Sequence, residues 1–287
     1  MLVTRQYALA RKLESFSDLK IIGGENHNQR LSVVDEQLVK PEEIDGENVL
    51  GNHVQLDSGV FQLVPFKSPT NGKKRNSYYV VGPSESGKTV FASKICREYM
   101  IVNPHNKLVW ITPLADCSEM LSLNPILVNI ADPEMVQLNI YDEEQRLRVV
   151  DNPENKDITQ QTSMFQNSMV IFDDIELTED PKLIKTIYQN LINPMLIGGR
   201  HFNISVILIK HHGANYKETR TALLESEYIT VFPRKSTSHS IRHLLSYYIG
   251  LRNDQISDVL KSSSRAVTLH NRYPIFTLSN DTFEYLT

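Results

Sequence analysis

Five short runs along the chain are nearly all apolar and rich in Val and Ile: "SYYVV" before Gly82, "KLVWITP" from Lys107, "MVIFDD" ending at Asp174, "NISVILIK" from Asn203 and "EYITVF" from Glu227. A strand covered on one face alternates apolar and polar positions. These runs do not, so they predict strands buried on both faces of a parallel sheet. Between the first two lies a glycine turn, then a segment in which Phe91, Ile95 and Tyr99 recur at i, i+4 and i+8, the spacing of one helix face. Strand, glycine loop and helix in that order predict the α/β class. Residues 1 to 70 lack a long helical period, and "VQLDSGVFQLVPF" reads as two short strands around the turn at Asp57 to Gly59. The polar stretch "DEEQRLRVVDNPENKDITQQT" predicts an exposed loop, and "RAVTLHNRYPIFTLS" alternates around "HNRYP" as a terminal hairpin would. The expected plan is a small β-rich N-terminal extension over 1–70 and a main domain over 71–287 that ends in the hairpin.

A chain of 287 residues with 40% hydrophobic content can bury one sizeable core. The net charge of -4 announces neither a nucleic-acid nor a membrane partner, but the charge is uneven. Asp132 to Asp157 is strongly acidic, whereas basic residues outnumber acidic ones from Lys210 onward and five histidines join them. A basic C-terminal third can face an anionic polymer, or be a solvated face with uneven charge. Cys96 and Cys117 show neither metal-ligand nor paired spacing, which predicts packing residues in a reducing compartment. No apolar run approaches about 18 residues and the N-terminus has no uninterrupted apolar core, so neither a membrane span nor a signal peptide is expected, and the pattern predicts a soluble intracellular protein.

"GPSESGKT", Gly82 to Thr89, changes the picture, because it matches G-x-x-x-x-G-K-[ST] and stands between a strand and a helix as that motif must. Gly82 and Gly87 let the loop bend around phosphate oxygens, and Pro83, Ser84, Glu85 and Ser86 complete the turn. The loop amides and the start of the following helix present donors and partial positive charge to an anion. In such a loop Lys88 meets the β- and γ-phosphates as a point charge and Thr89 holds Mg²⁺. A second carboxylate at a strand end is then needed to hold Mg²⁺ through water, and "MVIFDD" offers Asp173 for that and Asp174 as general base, with Glu176 as the alternative base. An acidic pair after a strand could instead cap the next helix. From Lys88 to Asp173 the chain runs 85 residues with "KLVWITP" between, which leaves room for one extra strand between the phosphate and Mg²⁺ strands, as in motor-type ATPases. No N-K-x-D motif of a GTPase and no arginine-rich lid of a small-molecule kinase stands downstream, so the nucleotide expected is ATP.

Three further segments, in order, sharpen this. "VWITP" at Val109 to Pro113, "MVIFDDI", and "GRHFNISVIL" at Gly199 to Leu208, together with the P-loop, resemble the genome-packaging ATPases of poxviruses and other large nucleocytoplasmic DNA viruses, of the FtsK/HerA branch of P-loop ATPases. The likeness runs from Ser77 to about Phe232. It implies a P-loop NTPase with a RecA/FtsK-like, mostly parallel sheet flanked by helices. It also implies a homo-oligomeric ring, hexameric in form, that drives double-stranded DNA into a capsid with ATP and Mg²⁺. The partners implied are the DNA and a capsid or portal-vertex protein, and the place implied is the host cytoplasm (virus factory) and the virion. Residue by residue, it carries nucleotide binding onto Gly82, Gly87, Lys88 and Thr89, and metal and water handling onto Asp173 and Asp174. It also places on Arg200 an arginine that reaches a neighbouring subunit's nucleotide. The alternative for Arg200 is a helix-end residue meeting the dipole or the last carbonyls. Relatives usually carry a glutamine where this chain has His211 after Lys210; a neutral histidine can still donate one hydrogen bond and accept another, or be merely exposed. A metal site from His201, His211 and His212 is disfavoured, because adjacent strand residues point to opposite faces. Candidates for DNA contact are Lys217, Arg220, Arg234 and Lys235, with Lys73, Lys74 and Arg75 as a further basic run. Two other readings share the P-loop: a cellular HerA-like DNA translocase, and a nucleotide-switched assembly scaffold that moves no DNA.

Overall fold

The computed structural model describes residues 75–139, 165–211, 216–272, 276–279 and 283–285, and five short strands before residue 68. Two compact units form: Ser68–Ser226 in one, and Met1–Lys67 with Glu227–Thr287 in the other. At the N-terminus, β1 (Leu9–Lys12), β2 (Leu19–Ile21), β3 (Arg30–Val33), β4 (His53–Gln55) and β5 (Phe61–Leu63) pair antiparallel in the order β4-β1-β3-β2-β5. The two strands read around Asp57 to Gly59 are β4 and β5, and they lie at opposite edges of this sheet.

The unit Ser68–Ser226 is a parallel sheet. Its strands are β6 (Ser77–Val81), β7 (Lys107–Thr112), β8 (Ile126–Asn129), β9 (Ser168–Asp173) and β10 (Ile204–Lys210), in the order β6-β10-β9-β7-β8. Every residue of β6, β9 and β10 is buried, which is why these runs do not alternate. The strand interposed between β6 and β9 is β10, which arrives later in the chain; "KLVWIT" is β7, on the far side of β9. Sequence separation left room for the insertion but not the identity of the inserted strand. Strand β8 is half-exposed and only four residues long, and its apolar run, Ile126 to Val128, is too short to announce it.

Helix α1 (Lys88–Val102) contacts β6, β7, β9 and β10, and buries Ala92, Ile95, Cys96 and Tyr99 against them; Phe91, expected on that face, is half-buried. Cys96 packs its sulfur 3.8 Å from Met169 Sδ, and burial pushes its thiol pKa up, while Cys117 is half-buried. Trp110, Tyr78, Tyr79, Tyr99, Phe165 and Phe172 are fully buried. Side chains of this kind stabilise the fold by roughly 1.5–3 kcal/mol each, which offsets the cost of the charges held at the strand ends. The remaining strands, β11 (Tyr228–Val231), β12 (Val267–His270), β13 (Phe276–Leu278) and β14 (Phe283–Tyr285), pair antiparallel in succession. The run at Glu227 was expected among parallel strands, yet β11 has an antiparallel partner in β12. An unbroken apolar run reports burial on both faces and is silent about direction.

The approach to β10 is set by three local devices. Helix Pro181–Ile187 starts on Asp180, whose side chain accepts from Lys182 N and Leu183 N, with Pro181 in the first turn. It passes through a π turn, Tyr188–Ile192, into Asn193–Gly198. Pro194 has no N–H to give, and the wider turn ahead of it accommodates the ring. After the 3₁₀ turn Gly199–Phe202, Asn203 takes a left-handed conformation at φ 57° and swings the chain into β10, its amide nitrogen donating to Asn167 Oδ1 at 2.9 Å. Gly199 is needed for room: a Cβ there would stand 3.2 Å from Ile204 O and 3.3 Å from Ile204 Cβ. At Gly198, which sits at φ -108° and ψ -11° in the right-handed region, a Cβ would meet nothing within 4 Å.

These environments separate two substitutions. Gly199→Ala should lower stability by about 1–3 kcal/mol through overpacking, and Gly198→Ala should be neutral or stabilise by up to about 1 kcal/mol. Thermal melting of the two variants checks this, and equal shifts would refute the packing account.

Candidate nucleotide-binding site

Parallel strands bring their carboxyl ends to one edge, and the charged residues of the sequence collect there. The loop Gly82 to Thr89 leaves β6 at Val81 and is tied to its neighbour by Gly82 N donating to Lys210 O at 3.1 Å. Gly87 sits at φ 94°, a conformation that only glycine adopts freely, and Phe91 N donates to Gly87 O at 2.9 Å as the first turn of α1 closes. Glu85 is also left-handed at φ 60°, with Ser84 and Glu85 exposed at the crown, Pro83 half-buried and Ser86 buried.

Lys88, only 5% exposed, donates from Nζ to Pro83 O at 3.1 Å and lies 3.4 Å from His211 Nδ1. Burial lowers its pKa, and the charges of Asp174, Asp173 and Glu176 partly oppose that shift. Thr89 Oγ1 donates to Asp173, 3.2 Å from Oδ2 and 3.4 Å from Oδ1. Asp173 closes β9 at 3% exposure, and Oδ2 also accepts from Trp110 Nε1 at 3.2 Å. Thr89 Oγ1 and the Asp173 carboxylate thus stand side by side next to the loop, and they are the hard oxygen donors that Mg²⁺ takes, directly or through water. Among the described residues no group of three or more His, Cys, Asp or Glu would hold a metal alone. A cation here would complete its shell from phosphate and water.

Asp174 follows in a left-handed conformation at φ 50° and heads the 3₁₀ turn Ile175–Leu177. It does not cap that turn with its side chain. Instead Oδ2 lies 2.9 Å from His211 Nε2, a close contact bent away from hydrogen-bond alignment, and Oδ1 is buried with no hydrogen-bond partner among the described residues. Burial raises the Asp174 pKa, against the attraction of Lys88 and His211. Glu176 Oε1 accepts from the His211 backbone N–H at 3.0 Å, and its Oε2 is likewise buried and without a partner among the described residues. His211 thus stands between Lys88 on its Nδ1 side and the Asp174 carboxylate on its Nε2 side.

The structure thus brings together Lys88, Thr89, Asp173, Asp174, Glu176 and His211. It does not bring in Arg200, which is exposed in the turn before β10, at the opposite edge, roughly 20 Å away along a seven-residue strand. The Arg200 Nε lies 3.4 Å from His201 Nε2, so the residue does not cap the preceding carbonyls. His201 stands at that far edge too, and His212 lies outside the described residues, as do Lys73 and Lys74 and the side chain of Lys217. Arg75, two residues ahead of β6, donates to Met195 O, whereas Arg220, Arg234 and Lys235 are exposed. Sequence reasoning missed Trp110 as a partner of Asp173. A tryptophan in a strand buried on both faces needs an acceptor for its N–H, and that was the available signal.

The fold and this loop define a P-loop NTPase of the α/β class, with a mostly parallel sheet in which one strand separates the phosphate strand from the acidic one. No family model matches the chain. It is 32% identical over 227 residues to the uncharacterised protein V3 of Sputnik virophage, across 78% of this chain and 81% of V3, and it belongs to the same family. Among solved structures it is similar to the genome packaging NTPase B204 of Sulfolobus turreted icosahedral virus 2 in complex with AMPPCP, at 13% identity and TM-score 0.42 over 73% of this chain and 97% of that one. It is also similar to the cytoplasmic domain of the type VII secretion ATPase EccC of Thermomonospora curvata, at 12% identity and TM-score 0.48, over 71% of this chain and 25% of that one. Among the described residues no helix is long and apolar enough to cross a membrane.

Burial, and then the neighbouring Asp174, push the Asp173 pKa up to about 7. The folded state therefore keeps this proton to higher pH than the unfolded chain. Asp173 contributes most favourably below its unfolded pKa near 4, and that contribution is lost as pH rises to about 7. Asp173→Asn removes the charge and keeps an acceptor for Trp110 and Thr89. In protein free of nucleotide and magnesium it should raise the melting temperature, by a margin that grows from about pH 5 to about pH 7 and then levels off. A margin independent of pH would show that Asp173 is not held in this way.

Proposed function

We propose that this chain is an ATP-driven motor that packages a double-stranded DNA genome into a viral capsid, hydrolysing ATP with Mg²⁺ in a homo-oligomeric, hexameric ring. In this it is akin to the poxvirus and large nucleocytoplasmic DNA virus ATPases that its motifs resemble. The observation that carries the reading is the meeting of Lys88 and Thr89 with Asp173, Asp174 and His211 at one sheet edge, across the interposed β10. A family member in a virophage supports the viral setting. The partners in this reading are DNA and a capsid or portal-vertex protein, met in the virus factory of the host cytoplasm.

The residues divide the work. Loop amides and the start of α1 bind the phosphates, and Lys88 exchanges the Pro83 carbonyl for the β- and γ-phosphate oxygens. Thr89 and Asp173 would hold Mg²⁺, which when bound would supply charge neutralisation at those phosphates. Asp174 presents Oδ1 to the attacking water as general base, and burial has already moved its pKa upward in the direction a base at neutral pH needs. His211 lies against the other Asp174 oxygen with Nε2 and against Lys88 with Nδ1, so it is placed to sense both the base and the lysine that meets the γ-phosphate. Glu176 fixes the His211 amide and acts as a positioning residue. Arg200, exposed and far from its own loop, serves the nucleotide of a neighbouring subunit, where an inserted arginine is worth about 10³ to 10⁵ in rate.

Linear double-stranded DNA should raise the ATPase rate, and Lys88→Ala should abolish it. No rise with DNA, together with normal oligomerisation of Lys88→Ala, would favour an assembly scaffold. In rings shown to contain both variants, Arg200→Ala mixed with Lys88→Ala should recover part of the hydrolysis, because each supplies what the other lacks; absence of recovery would remove the trans arginine. His211→Gln should retain most of the rate and His211→Ala should lose on the order of 10-fold or more, as steady-state kinetics would register.

A further inference from the structure

No carboxylate stands between Glu227 and Asp254, in a chain whose net charge is -4, and this segment carries Arg234, Lys235, His239, Arg242 and His243. After β11 it turns at Pro233–Ser236 and enters one continuous helical stretch, Ser238–His243 followed by the π turn Leu244–Ile249. Thr237 starts it by accepting from Ser240 N at 3.4 Å. Packing sorts the stretch sharply: Ile241, Leu244 and Leu245 are buried, while His239, Arg242, His243, Ser246 and Tyr247 are exposed. The exposed set falls at i, i+3, i+4, i+7 and i+8, a single face. Arg234 and Lys235 are exposed in the turn ahead of it, and among the described residues neither they nor Arg242 enter an ion pair. Arg252, by contrast, is held by Asp254 at 3.4 Å. On the face itself His243 stacks on Tyr247, with centroids 5.5 Å apart and planes 9° from parallel, and Tyr248 braces Tyr247 edge-on at 5.1 Å. Tyr247 is thus held in place by neighbouring rings although 61% exposed.

We infer that this face, Arg234, Lys235 and Arg242 with His243 and Tyr247, binds the sugar-phosphate backbone of double-stranded DNA. The inference rests on the packaging reading and gives it a contact surface. Cations uncompensated by carboxylates attract phosphate regardless of base sequence, as a motor that must pass every sequence requires. The braced tyrosine hydroxyl and the histidine rings add hydrogen-bonding groups to the same surface, and such groups contact phosphate as well as cations do. At about 1.5 Å per residue, the span from His239 to Tyr247 covers roughly 12 Å, enough to meet phosphates of more than one nucleotide.

Binding of a random-sequence duplex to the full chain, titrated against salt, tests this. Arg234→Ala/Lys235→Ala/Arg242→Ala should weaken binding on the order of 10- to 100-fold at about 100 mM salt and reduce the log–log salt slope by about 2 to 3, with the melting temperature unchanged because all three positions are exposed. Arg234→Lys/Arg242→Lys should stay within about 3-fold of the unsubstituted chain, since a point charge suffices for phosphate. A triple variant that binds the duplex as the unsubstituted chain does would overturn the assignment of this face and leave the packaging reading standing. Failure of the unsubstituted chain to bind duplex at low salt would overturn both. A Tyr247→Leu variant that loses single-stranded but not duplex binding would replace the duplex with an unpaired strand. Wild-type capture of an acidic protein but of no DNA would also overturn the inference.

Discussion

The parallel register of β10 between β6 and β9 sets where every charged group of the site can stand. Lys210 lies opposite Val81 and Ile209 opposite Asp173, so three strands end at nearly one height, and the amide of Gly82 closes onto the Lys210 carbonyl. The next residue on β10 is then His211, held where the phosphate loop and the acidic turn face each other. Slide β10 by one residue and the side chains of its two packed faces would change places, each meeting a layer shaped for the other, which close packing on both sides resists. Hydrophobic burial of "ISVILIK" is therefore what fixes the geometry of the polar cluster above it.

That cluster is electrostatically crowded. Asp173, Asp174 and Glu176 are set against Lys88 and His211, burial raises both aspartates, and the same burial lowers Lys88. Two non-glycine residues, Glu85 and Asp174, take left-handed backbone conformations around it. A fold tolerates such costs where its core is otherwise well filled, and here Trp110 does both jobs: it is a fully buried ring of β7 and the N–H donor to Asp173. A carboxylate held near neutrality by its surroundings is poised to exchange its proton for a cation, which couples metal binding to pH.

At the other end of β10 the same strand is anchored by packing and by hydrogen bonds to the residues that open β9. Gly199 makes room for Ile204, and Asn203 supplies the left-handed turn. Arg200 is therefore projected from a turn packed against the start of β10. The two glycines before it read in sequence as flexible, but Gly199 is placed for close approach. One buried strand consequently carries His211 at its site edge and Arg200 at the opposite edge, in fixed separation.

Composition and local pattern determined much of this chain unaided. The apolar runs located β6, β7, β9, β10 and β11, because burial on both faces leaves a signature in each strand by itself. "GPSESGKT" located the loop, because its glycines and lysine answer a backbone requirement that is local. Other features depended on neighbours distant in sequence. That β10 and not β7 separates β6 from β9, that β11 pairs antiparallel, and that Asp174 meets His211 instead of capping its own turn were decided only when strands far apart in the chain came into register. The reason is physical: residue identity records how a position wishes to be solvated, whereas which partner satisfies it is settled by the packing of the whole sheet.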